Sequence, residues 1–237
     1  MPDSRHGPAV GWAAGGLAVA EHRREFDRQL DAIETKVIEL FSSVCEDLPA
    51  VTQAMLNGNS EVAGLAERER ATDALYREIE QLVSRQILLQ APVASDLRFL
   101  LSVLRIAPEL ERSHDLVCHI ASRAGHVPGP ELSPRCRWLI MQMDELACGM
   151  WRRAADCWCQ RDGSAASALA KADQELDEQH ASLVAELASG QMALPVTIEM
   201  TLVARFYGRL GDHAVNIARR VVYLAGSTHA RSLNVPH

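Results

Sequence analysis

Among the acidic residues that stand one helical turn apart in this 237-residue chain are three pairs, Glu69/Asp73, Glu111/Asp115 and Asp173/Asp177. On a helix, each such pair shares a side and repels by roughly a few tenths of a kcal/mol. One chemistry that tolerates this is a multivalent hard cation held by carboxylates from two neighbouring helices. The plainer alternative is a solvated acidic face softened by arginine and water. His119, one turn from Asp115, is a candidate nitrogen ligand. His114 and His213 lie about 100° further round and suit an interface or surface position. The six cysteines (Cys45, Cys118, Cys136, Cys148, Cys157 and Cys159) form no CxxC pair and no Cys/His metal spacing, so they read as reduced thiols. Cys157 and Cys159 flank Trp158 and, on a helix, point to different sides. No glycine-rich phosphate loop is present.

The elements that must carry these residues are helices. Aromatic residues make up only 5% of the chain against 48% hydrophobic, and the excess is Ala and Leu, which favours helix over sheet. The net charge of −7 shows no basic excess, which argues against a nucleic-acid partner. Apolar residues from Phe26 to Val44 recur at helical spacing, so a first helix is expected over 21–56. Asn57-Gly58-Asn59-Ser60 then reads as a turn and N-cap, with a second helix from about Glu61 to Gln90. Pro92 and Asp96 open a third helix reaching about Ala124, which Pro108 should interrupt and kink. A Pro/Gly-rich stretch, Gly125–Pro134, separates this trio from a second one, expected over 135–161, 164–188 and 193–225, with Gly226 closing the last helix.

The N-terminal stretch superficially resembles a secretory leader, with Ala18-Val19-Ala20 at its end. Its apolar run is broken by Pro8, Gly11, Gly15 and Gly16, so a flexible extension over 1–20 is expected. No run of 18 uncharged apolar residues follows, so no direct membrane insertion is expected.

The two trios resemble each other. Arg112, Asp115, Ile120 and Ala121 match Arg209, Asp212, Ile217 and Ala218 at a constant offset of 97, and Glu69/Asp73 match Asp173/Asp177 at 104. The difference of seven residues is about two helical turns, which preserves the face. The expected fold is therefore all-α: two tandem three-helix bundles related by an internal repeat. Their bounds are 21–126 and 135–226, with a linker over 127–134 and a tail over 227–237. In the third helix, Val103, Ile106, Leu110, Val117, Ile120 and Ala124 form a buried stripe, with Asp115 nearly opposite. In the sixth, Val203, Leu210, Ala214, Ile217 and Val221 do the same. Asp212 then faces away with Arg205, Arg209, Asn216 and Arg219.

Gln90-Ala91-Pro92-Val93-Ala94-Ser95-Asp96-Leu97-Arg98, followed by Leu110-Glu111-Arg112-x-x-Asp115, resembles the PhoU family of phosphate-signalling regulators. Arg209-x-x-Asp212-His213-Ala214-Val215-Asn216-Ile217-Ala218 resembles the family's closing signature, and the likeness spans roughly 21–226. It implies a non-enzymatic cytoplasmic regulator, a homodimer, that represses phosphate uptake and the starvation response. Its partners would be the ATPase of a phosphate ABC transporter and a sensor histidine kinase. It also implies multinuclear iron or zinc on E/D-x-x-x-D motifs. The ligands would be Glu69, Asp73, Glu111 and Asp115 in the first repeat, and Asp173, Asp177 and Asp212 in the second. Two positions depart from the pattern: Gly208 stands where a Glu is usual, and His119 where an Asn is usual. Arg98, Arg105, Arg205 and Arg209, beside exposed acids, are candidate contacts to partner proteins, or else partners of acids in their own bundle. The rival expectation is a carboxylate-bridged metal bundle, a di-iron oxidase or a metal store. Against it, these acids lie opposite the apolar stripes, whereas the ligands of such a bundle point into its core.

Overall fold

The structure, a computed structural model, describes residues 10–59, 62–124, 126 and 131–232. Six helices follow in order: α1 Val10–Leu56, α2 Leu65–Gln90, α3 Ala94–Ala124, α4 Pro134–Gln160, α5 Ala165–Ala188 and α6 Leu194–Ser232. The first three pack as one bundle and the last three as another, and no strand occurs among the described residues.

The repeat read from sequence reappears as a repeat of burial. The buried residues of α2 include Leu65, Thr72, Ile79 and Val83; those of α5 are Leu169, Leu176, Leu183 and Leu187, each 104 residues on. The spacing of seven, seven and four keeps one narrow stripe facing inward along each helix. In α3 and α6 the buried stripe is broader. Val103, Ile106, Leu110, Val117 and Ile120 are buried in the one, and Val203, Leu210, Ala214, Ile217 and Val221 in the other, as expected. Both helices also bury a second side, because α3 packs on α6 and α1 packs on α4. A single continuous core therefore runs through both halves. Phe41 of α1 meets Trp151 of α4 at 6.3 Å between ring centroids, and Phe99 of α3 stacks on Trp158 of α4 at 5.9 Å. Phe41, Trp151 and Trp158 are buried, and each contributes about 1.5–3 kcal/mol.

Several boundaries differ from expectation. α1 begins at Val10, so residues 10–20 are helical rather than a flexible extension, while 1–9 lie outside the described residues. Ala13, Ala14, Ala18 and Ala20 are strong helix formers and continue a helix already nucleated downstream, which outweighs three glycines. α2 starts at Leu65 after Gly64, whose φ of 72° takes the chain through the left-handed turn; the expected cap, Ser60, lies outside the described residues. Pro108 does not interrupt α3, nor Pro49 α1, because the flanking turns are held by packing on both sides. α6 continues through Gly226 to Ser232. The start of α4 follows the sequence rules: Ser133 Oγ accepts from the Cys136 N–H at 3.0 Å, with Pro134 at the first helical position. In the linker, 127–130 lie outside the described residues, and Leu132 at its end is buried.

Candidate metal-binding face

α2 and α3 lie side by side, so residues facing outward along their seam converge. Asp73 comes from α2, and Glu111 and Asp115 from successive turns of α3. Donor oxygens of all three lie within 4.8 Å of one another, the one such acidic trio among the described residues. Arg77 Nη2, one turn from Asp73, lies 3.5 Å from its carboxylate and offsets part of the charge. Partial burial, then the neighbouring carboxylates, push the Glu111 and Asp115 carboxyls above their usual range. Three hard oxygen ligands on half-buried side chains fit one multivalent cation, whose charge would relieve that repulsion.

Glu69 does not join them. It lies a turn further toward the start of α2 and lines a groove of about 400 Å³ with Cys118, Ala121 and Ser122. His119 is also diverted, its ring stacked on Phe206 of α6 at 5.5 Å.

The second repeat builds a weaker counterpart. Burial of Asp173, then the charges of Asp212 and Asp177, push its carboxyl up to about 6. The three oxygens do not all converge within 4.8 Å, and Gly208 leaves open space where the first repeat has Glu111. Gly211 admits Asp173 and Leu176 so closely that any Cβ there would collide with both.

His114 occupies the place that Gly211 holds in the second repeat. It is 1% exposed, and its Nε2 lies 2.9 Å from Asp47 Oδ2. Arg68 Nε donates to both Asp47 oxygens at 2.8 and 3.0 Å. One buried carboxylate on α1 thus ties down α2 and α3 directly beneath the acidic trio. Burial opposes ionisation of Asp47, but the bonds from His114 and Arg68 outweigh it and hold the carboxyl below its usual range. Sequence reasoning placed His114 at an interface or surface and missed Asp47. The available signal was an acid inside the apolar run Val44–Leu48–Val51. His213 sits between the bundles, with Nδ1 3.0 Å from Ser113 Oγ. A second buried polar node joins α1, α4 and α6: Thr52 Oγ1 donates to Asp144 Oδ1 at 2.6 Å and lies 2.5 Å from Tyr207 OH.

Burial, then the surrounding acids, push Cys118 up to about 12, and all six cysteines are free. Cys157 is buried while Cys159 is exposed, on different sides of α4 as expected. Of the candidate partner contacts, Arg105, Arg205 and Arg209 are exposed, whereas Arg98 is half-buried with an unpartnered Nε. None of the four lies within 4.0 Å of a carboxylate among the described residues. No described helix is long and apolar enough to cross a membrane.

The model of the PhoU domain matches this chain twice, over 37–124 and 140–221, one match per bundle. A phosphate-specific transport system accessory protein PhoU homolog from Synechocystis sp. is 32% identical over 213 residues, covering 85% of this chain and 92% of that protein. A homolog of the same description from Zymomonas mobilis is 29% identical over 207 residues, covering 85% and 87%. The crystal structure of PhoU from Pseudomonas aeruginosa superposes with a TM-score of 0.79 at 25% identity, over 84% of this chain and 98% of that one. The phosphate transport system regulatory protein PhoU from Streptococcus pneumoniae superposes with a TM-score of 0.76 at 26% identity, over 84% and 96%.

Proposed function

The chain belongs to the PhoU family, and from that membership we propose that it is a cytoplasmic, non-enzymatic regulator of phosphate homeostasis. In this reading it represses phosphate uptake and the starvation response when phosphate is plentiful. It does so as a homodimer, by contact with a phosphate transporter's ATPase subunit and with a sensor histidine kinase. The observation that carries the reading is that both bundles match the family along their length, with relatives described as phosphate-specific transport accessory proteins. Arg205 and Arg209 on the outer side of α6, and Arg105 on α3, support it, being exposed guanidiniums with no acidic partner among the described residues. Such groups form charge-assisted bonds readily with an acidic partner surface. Arg98 is less available, since its Nε is already buried.

Asp73, Glu111 and Asp115 would hold a multivalent cation such as iron or zinc at the α2–α3 seam, with Glu69 a turn too far along α2 to complete the set. Asp173, Asp177 and Asp212 would hold one more weakly, for want of a carboxylate at Gly208. The oxidase or metal-store reading gains nothing here, because the trio lies at the bundle surface and contains no histidine.

The test is deletion of the gene in the source cell, with a phosphate-starvation reporter read at high phosphate. The reporter should be derepressed, and the intact gene should restore repression. Normal repression without the gene would remove the regulatory reading.

A further inference from the structure

On the side of the bundle interface where α3 packs against α6, a groove of about 300 Å³ opens between the two helices. Its walls carry Arg105 from α3 and Arg219 and Arg220 from α6, with Ile106 and Ile217 as floor. Like Arg98, Arg205 and Arg209, these three guanidiniums have no acidic partner among the described residues, and they line one groove. Seven other arginines, from Arg23 to Arg161, sit against a carboxylate. Arg105, Arg219 and Arg220 have none within 4.0 Å, among the described residues. The single acid lining the groove, Glu109, is one turn from Arg105 yet does not pair with it. Its carboxylate turns toward His213, Oε2 lying 3.5 Å from the His213 Nδ1.

What holds the arginines in place is neutral. Arg220 Nε donates to Ser102 Oγ at 3.1 Å, and its guanidinium lies over the Tyr223 ring, 4.2 Å from the centroid. Arg219 Nη1 donates to Asn216 Oδ1 at 3.4 Å. These contacts orient Arg219 and Arg220. Arg219 also lies near enough to Asp173 for its charge to lower that carboxyl, so Arg105 and Arg220 carry most of the unbalanced charge. Burial, and then the nearby positive charge of Arg105, depress the Arg220 guanidinium below its usual range. A protein with net charge −7 thus keeps an electropositive concavity between its halves.

We propose that this groove binds a multiply charged oxyanion, a phosphate or a terminal phosphoryl group, between Arg105 of α3 and Arg219 and Arg220 of α6. The guanidinium fork matches tetrahedral oxyanions bidentately, and two or three forks converging from different helices suit a dianion better than a single carboxylate. Free inorganic phosphate and a nucleotide's terminal phosphoryl share that chemistry. The ligand would also bridge the two bundles, since its ligands come from both. The proposal stands independently of the regulatory role, because it concerns the purified chain alone.

The test is calorimetric titration of the full chain, stripped of metal with EDTA, with inorganic phosphate in one arm and ATP in the other. Three variants accompany it: Arg105→Gln, Arg220→Gln and, as a control for net charge, Arg85→Gln on the exposed side of α2. Saturable binding that weakens at least tenfold in Arg105→Gln and Arg220→Gln, and falls little in Arg85→Gln, bears the proposal out. The tighter of the two arms names the source of the anion. Arg220 has structural contacts that its variant removes; Arg105 has none among the described residues, so where Arg220→Gln unfolds the protein, Arg105→Gln alone decides. No saturable binding of either probe, or equal weakening by Arg85→Gln, overturns it. Binding untouched by Arg105→Gln overturns it as well.

Discussion

Replacing Asp173 by Asn should stabilise the protein, and only above the range in which the carboxyl titrates. Asp173 sits on α5 against Gly211 of α6, with the charges of Asp177 and Asp212 near it. Burial first, then these charges, push its carboxyl from 3.8 to about 6. Below the unfolded value it is protonated in both states and costs nothing. The cost grows as pH rises past that value, because the unfolded chain ionises first, and it is complete above about pH 6. A shift of about two units at about 1.36 kcal/mol each bounds the cost near 3 kcal/mol. Water reaches the side chain and screens part of this, leaving about 1–2 kcal/mol. Asn keeps the shape that Gly211 admits and removes the charge. In a chain of this length about 1 kcal/mol moves Tm by roughly 2–4 °C. Calorimetric scans in EDTA should therefore place the variant about 2–8 °C above the parent at pH 8 and level with it at pH 3.5. An equal gain at both pH values would mean that packing, not charge, is responsible. A lower Tm at pH 8 would refute the electrostatic reasoning outright.

Two further outcomes follow from the first bundle. Adding Mn²⁺ or Zn²⁺ to metal-free protein should raise Tm, by about 2.7 kcal/mol equivalent at a hundredfold excess over Kd. Asp115→Asn should abolish that rise while leaving the metal-free protein as stable or more so; a full metal shift in the variant would exclude the trio. His114→Ala should cost about 2–4 kcal/mol in urea unfolding, since it strands a buried carboxylate and leaves a cavity. A loss under about 1 kcal/mol would show that Arg68 alone satisfies Asp47.

The outward and inward sides of α3 and α6 were legible from apolar spacing because helical geometry converts spacing directly into direction. The same holds for the repeat: offsets of 97 and 104 between matching acids reappear as matching buried positions, such as Thr72 and Leu176. What spacing cannot convey is which residues of different helices meet. Asp47 lies 67 residues from His114, and Thr52 155 residues from Tyr207, so neither bond leaves a local pattern. Glu69 shares a helix side with Asp73, yet it stands a turn nearer the start of α2 and lines the groove beside Cys118, so Asp73 joins the trio and Glu69 does not. The early start of α1 was illegible for another reason: glycine and alanine preferences nearly balance, and a long helix already formed tips the outcome.

The shared core has a consequence for how such a molecule can carry information. A Pro/Gly-rich connector between two modules ordinarily implies that they swing independently. Here neither module keeps a finished hydrophobic face to itself, since α1 leans on α4 and α3 on α6. The connector then records a duplication rather than a joint. What partners on opposite flanks would sense is the position and surface charge of one stiff body, not an angle between two.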